Sequence, residues 1–265
     1  MEQRENTNDE KKKLKDLLLE IDKQHIEIVE ARTFVKAWGK KSNPILVKCK
    51  DGKKYVVKGK KSAGRQMIND QIVARLGLEI DAPVGRPAII NISQELIDIE
   101  PIYFEDFEAG TAHGTEFIAD CFDSYDLRDI ENNRIRLVTL ALLFGWTYAN
   151  DHQFIYQRPR PYTIFSVDHG HFFPSPPNWQ IQDLVTNLPV TLDSYFDRCC
   201  FTVNEFNLVY GILNNVTEEV IVQAVAFPRL EWGITYKEKL GMINYLKSRK
   251  KELLNHLRSK LETQS

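Results

Sequence analysis

NDHQFIYQRPRPYTIFSVDHGHFFP spans Asn150–Pro174. Two runs of alternating character, QFIY and YTIFSVD, flank Arg158-Pro159-Arg160-Pro161, and a run–turn–run pattern of this kind predicts a β-hairpin. Asp151 precedes the first strand and Asp168 ends the second. Hairpin pairing brings the two open ends together, so both carboxylates are expected at the same end. Upstream, RIRLVTLALLFGWTYA is apolar on nearly every side, which predicts a helix buried all round just before Asp151. Gly170 follows Asp168 closely, where the chain must turn sharply. Taken singly, each aspartate fits an ordinary loop residue with local hydrogen bonds. Taken together they fit a base that orients an acceptor and a ligand for a metal ion. With His152, His169 and His171 beside them, a transition-metal site of a two-metal hydrolase is a further reading.

Working outward, NPILVKCKDGKKYVVKGK predicts an earlier hairpin, because Asp51-Gly52 tolerates the positive φ values of a tight turn. Alternation puts Val56 and Lys58 on one face. A lysine there can reach phosphate oxygens as a point charge, with its head outside the core; the plainer reading is one more surface lysine. Such a lysine needs an acid to hold it, and Asp70 in the next segment is the nearest. That segment, GRQMINDQIVARLGL, has helical spacing at Ile68, Ile72 and Leu76, with Gly77 expected as its stop. APVGRPAIINI and IEPIYFEDF are expected as strands, their prolines at edges or ends. Residues 10–31 predict a charged amphipathic helix with Leu14, Leu17, Leu18, Ile21, His25 and Ile28 near one face. Residues 181–265 are expected to be helical. The last helix, over 235–262, carries eight Lys/Arg against three acids.

The 265 residues are 43% hydrophobic with a net charge of −2, a globular composition with ample core material. Charge is segregated. Residues 36–65 hold eleven Lys/Arg against Asp51 alone, and residues 95–131 hold twelve Asp/Glu against Arg128 alone. That arrangement suits an anionic ligand held near a metal-binding or cationic partner surface. Cys49, Cys121, Cys199 and Cys200 form no CxxC pair, which predicts reduced thiols. The charged N-terminal stretch lacks an apolar signal region, and Leu137–Phe144 is too short to span a bilayer, so a cytoplasmic protein without a membrane partner is expected. Nucleic-acid binding through residues 36–65 and the last helix is disfavoured by the overall charge and the lack of a helix-turn-helix or stacking motif.

In order along the chain, YVVKGK, NDQIVARLGLEIDAPVG, AHGTEF, FGWTYANDHQ and FSVDHGHFF resemble the HipA-like kinase family, a small relative of the protein-kinase and lipid-kinase fold. The resemblance implies an α+β, two-lobed kinase-like fold. A charged helix over residues 1–31 would precede a sheet-containing lobe over 32–118 and a helical lobe over 119–265. It implies ATP and Mg²⁺ as ligands, with Lys58 on the nucleotide phosphates and Asp70 as a shortened counterpart of the usual helix glutamate. Asp151 becomes the catalytic-loop aspartate and Asp168 the metal-binding aspartate, with Gln153 in partial place of a second metal ligand. The family's asparagine ligand, about five residues after the catalytic aspartate, is replaced by Tyr156. Phosphoryl transfer to a protein or small hydroxyl acceptor follows if the site is complete. The alternative is a degenerate kinase-like domain that binds nucleotide or a protein partner without catalysis.

Overall fold

The computed structural model describes residues 12–21, 26–39, 43–185 and 188–264. Residues 12–21 form a helix, α1, whose Leu14, Leu18 and Ile21 are buried in the main core. The expected helix does not reach residue 31: Ile28–Ala37 is a strand, β1. His25 lies outside the described residues.

Strands β2 (Ile45–Cys49) and β3 (Lys54–Lys58) form the hairpin around Asp51-Gly52, and Gly52 takes φ +83° as that turn requires. A short turn, α2 (Lys60–Ala63), leads into α3 (Gln66–Glu79). Helix α3 runs past Gly77, which does not terminate it. A Cβ at Gly77 would lie 2.9 Å from Val84, so close packing, not chain reversal, accounts for the glycine. Strand β4 (Pro87–Ile92) is followed by α4 (Gln94–Ile99) and β5 (Gly110–Glu116). The five strands close into a barrel in the order β1-β2-β3-β5-β4, with β1 and β4 parallel. The expected strand over IEPIYFEDF is absent. Residues 100–107 form turns, and Phe104 and Phe107, three apart, insert into the barrel's core.

The segregated charges meet within this lobe. Lys53 pairs with Glu116 at 2.9 Å, Lys60 with Glu108 at 3.5 Å, and Lys61 donates to the Glu105 carbonyl at 3.0 Å.

The second half begins with β6 (Cys121–Ser124), which adds to the hairpin of β7 (Phe154–Gln157) and β8 (Thr163–Ser166). Between them runs α5 (Ile130–Thr147), with every residue from Leu137 to Thr147 buried. Its all-round apolar pattern follows from packing on the second hairpin, on α6 (Val203–Asn215) and on α8 (Tyr236–Gln264). Helix α7 (Glu218–Ala226) joins α3 to α8. Residues 181–185 and 188–202 are short 3₁₀ turns and irregular chain, not the helix expected there.

Part of the basic character of α8 is structural. Arg249 donates Nε to the Trp146 carbonyl (2.8 Å) and Nη2 to that of Gly145 (2.6 Å), which satisfies the orphan carbonyls that end α5. Among the described residues no helix is long and apolar enough to cross a membrane, and all four cysteines are free.

Candidate active site

Pairing of Phe154 with Ser166 sets the open end of the β7–β8 hairpin, and a further bond from Val167 N to the Gln153 carbonyl (3.1 Å) extends the ladder one step. Asp151 and Asp168 therefore flank the same end. Asp168 has φ +60°, the left-handed region that aspartate tolerates better than most residues. The chain then turns against the start of α3. A Cβ on Gly170 would fall 2.7 Å from Gln66 Cβ, a backbone-anchored atom that cannot swing away.

Three elements converge there on Lys58. Its Nζ donates to Asp70 Oδ2 (2.7 Å) on α3 and to Asp168 Oδ1 (2.6 Å) after β8. Lys58 is only 7% exposed and Asp70 only 3%, so the head expected outside the core is buried. Burial works against the ammonium, yet Asp70 and Asp168 outweigh it and hold its pKa above the ordinary lysine value. Burial likewise opposes the Asp70 carboxylate, and Lys58 above all holds its pKa below the ordinary range. The other Asp70 oxygen accepts from the His169 backbone N–H at 2.7 Å.

Around this pair lies a buried polar shell that sequence reading missed. Asn69 donates to the carbonyls of Gly170 (2.7 Å) and Phe172 (3.2 Å) and accepts from Trp179 Nε1 (2.8 Å). His169 Nε2 lies 3.0 Å from Ser166 Oγ, and His113 Nε2 lies 3.0 Å from Thr115 Oγ1. Burial pushes both imidazoles down to about 4, so both are neutral near pH 7. The partners of Asn69, and the His169 N–H that bonds Asp70, sit about a hundred positions away, which no local pattern discloses. Only the NDQ run within an apolar helix hinted at a polar task there.

Asp151 is half-buried, and its Oδ2 accepts from Gln153 Nε2 at 2.7 Å. His152 turns elsewhere, against Asp193 (3.1 Å) and stacked on Tyr195. Tyr156 is fully buried. Its hydroxyl donates to the Asp126 carbonyl (3.1 Å) and accepts from the Arg128 N–H (2.9 Å), so it faces away from the cleft.

A cleft of about 270 Å³, close to the lower end of small-molecule sites, opens beside the Lys58 pair; Asp151 is not among its lining residues and reaches it only through its bond from Gln153. Lys58, Asp70, His113, Gln153 and Asp168 line it, with Val56, Ile155 and Val167 supplying apolar walls. Two oxygen donors of the kind a hard divalent cation takes, on Asp168 and Gln153, line the cleft, too few to hold one without further ligands from water or a phosphate. The Asp168 side chain stays 28% exposed, and Gln153, with Nε2 engaged by Asp151, has its amide oxygen left as a donor. Among the described residues no group of three or more His, Cys, Asp or Glu could hold a metal ion by itself.

The HipA-like kinase family model matches residues 33–155. Among solved structures, the Helicobacter pylori proinflammatory kinase CtkA is similar at TM-score 0.58 and 10% identity, over 90% of this chain and 99% of that one. The Golgi casein kinase is similar at TM-score 0.49 and 12% identity, over 93% of this chain and 75% of its own. No curated protein matches the chain. Residues 33–155 thus resemble the HipA-like kinases, on a chain whose fold is kinase-like.

Proposed function

We propose that the cleft binds ATP with Mg²⁺ and transfers the γ-phosphoryl group to a hydroxyl of a protein or small acceptor. The observation that carries this reading is the buried Lys58 ammonium, held between Asp70 and Asp168 at the hairpin end that also bears Asp151. An ammonium fixed in a cleft is a ready point charge for phosphate oxygens, and Asp70 keeps it in place. Asp168 and the Gln153 amide oxygen are the donors that would hold Mg²⁺, which when bound supplies neutralising charge to the phosphate oxygens. Asp151, braced by Gln153, accepts the proton of the acceptor hydroxyl. The acceptor oxygen bonds to the γ-phosphorus as the bridging P–O bond to the β-phosphate breaks, and ADP leaves.

A second reading, nucleotide binding without turnover, draws on Tyr156. That position, where the family resemblance calls for a metal ligand, is committed to Asp126 and Arg128. ATP consumption by the parent, Asp151→Asn and Asp168→Asn separates the two. Transfer predicts turnover in the parent and its loss in both variants, with Asp151→Asn still binding nucleotide, since its role is felt mainly in the transition state. Nucleotide binding with no turnover in the parent, across protein and small acceptors, would leave the second reading standing.

A further inference from the structure

A second and larger cavity, about 670 Å³, opens between α3, the β4–β5 side of the barrel and the end of α7, away from the Lys58 pair. Its volume falls within the range of small-molecule sites. On its wall stands Arg75, the guanidinium 3.2 Å from the Phe227 ring centroid and Nε on Gln71 Oε1 at 3.0 Å. Among the described residues no carboxylate pairs with it. Burial pushes the guanidinium down to about 10, with no acid among the described residues opposing the shift. Arg86, exposed on the same wall, also has no acid partner among the described residues. Two of the three carboxylates lining the cavity are already engaged, Asp51 by the Tyr55 hydroxyl (2.6 Å) and Glu116 by Lys53 (2.9 Å). Glu27 is exposed. Leu78, Ile89 and Phe227 give the cavity an apolar side.

A largely buried cation without a counter-ion is costly, and an anion brought by a ligand removes that cost. We propose that this cavity binds a small organic anion, an apolar body bearing a carboxylate that pairs with Arg75 and Arg86. The guanidinium fork suits a carboxylate bidentately, and its stacking on Phe227 holds it ready. This site does not depend on phosphoryl transfer in the cleft.

The test is calorimetric titration of the full chain with straight-chain carboxylates from butanoate to decanoate, with the matched alcohols and with inorganic phosphate. The expected result is saturable binding of the carboxylates that tightens with chain length, with weaker phosphate and no measurable alcohol binding. Arg75→Gln, checked for folding by circular dichroism, should weaken the carboxylates roughly tenfold or more. Arg86→Gln, at an exposed position, should weaken them in the same direction. No binding anywhere in the series, alcohols binding as well as carboxylates, or undiminished affinity in both variants would overturn the proposal.

Discussion

Replacing Lys58 with methionine keeps the apolar stem and removes the ammonium that bonds Asp70 at 2.7 Å and Asp168 at 2.6 Å. The Asp168 side chain is 28% exposed, so water replaces much of what it loses, and that half of the network is worth about 0–1 kcal/mol. Asp70 is 3% exposed and would keep only the His169 N–H. Stripping one partner from a buried ion pair costs about 3–5 kcal/mol. In the parent, the folded pKa of Asp70 lies below its unfolded value of about 3.9, so its contribution is present above that pH and lost as pH falls further. In Lys58→Met, burial loses its main opponent, with the His169 N–H the one hydrogen bond left to the carboxylate, and the folded pKa rises above the unfolded one. The deficit relative to the parent should therefore grow as pH rises from about 4 towards neutrality. Urea unfolding followed by tryptophan fluorescence should show about 3–5 kcal/mol lost at about pH 7.5 and markedly less at about pH 4.5. Adding Asp70→Asn should recover most of the loss at neutral pH. A deficit below about 1 kcal/mol at neutral pH, or one that ignores pH, would refute the idea that Lys58 and Asp70 form a buried, mutually dependent pair.

Leu140 and Leu143 are fully buried on α5, so truncating either to alanine should cost about 2–5 kcal/mol in urea unfolding; a negligible cost at both would remove α5 from the core. Tyr156→Phe should cost about 1–3 kcal/mol by stranding the Arg128 N–H, while the Asp126 carbonyl keeps Ser124 Oγ, and leave nucleotide affinity unchanged by calorimetry. A fall in Mg²⁺-dependent affinity would instead make Tyr156 a site residue. His113 and His169 have folded pKa values depressed from the unfolded 6.5, so stability should fall as pH drops from about 6.5 to about 4; melting temperatures should decline over that window and decline less in His113→Asn.

Both hairpins and the buried helix were readable from the sequence because their signals are local. Asp51-Gly52 and the Arg-Pro repeat punctuate alternating runs, and α5 is apolar on every face. Strand β1 was not, since half-exposed positions recur along IVEARTFVKA without regular alternation and no periodic stripe survives. IEPIYFEDF carries strand-forming residues, but burial of Phe104 and Phe107 on one side holds it as turns, a tertiary choice overriding propensity. At the site, Lys58 and Asp70 are legible because only the short turn α2 separates β3 from α3. The depth of the pair, the polar shell of Asn69, Trp179 and His169, and the inward turn of Tyr156 depend on contacts far apart in the chain.

The central claim, a nucleotide cleft whose metal charge is met by Asp168, is tested most directly by calorimetric titration of ATP with and without Mg²⁺ into the parent and Asp168→Asn. Asparagine preserves shape while removing the charge that would neutralise the ion. The expected result is Mg²⁺-strengthened binding to the parent that falls sharply in Asp168→Asn, with Mg²⁺-free binding little changed or improved. ATP binding that is absent from the parent, or equally Mg²⁺-dependent in both proteins, would contradict it.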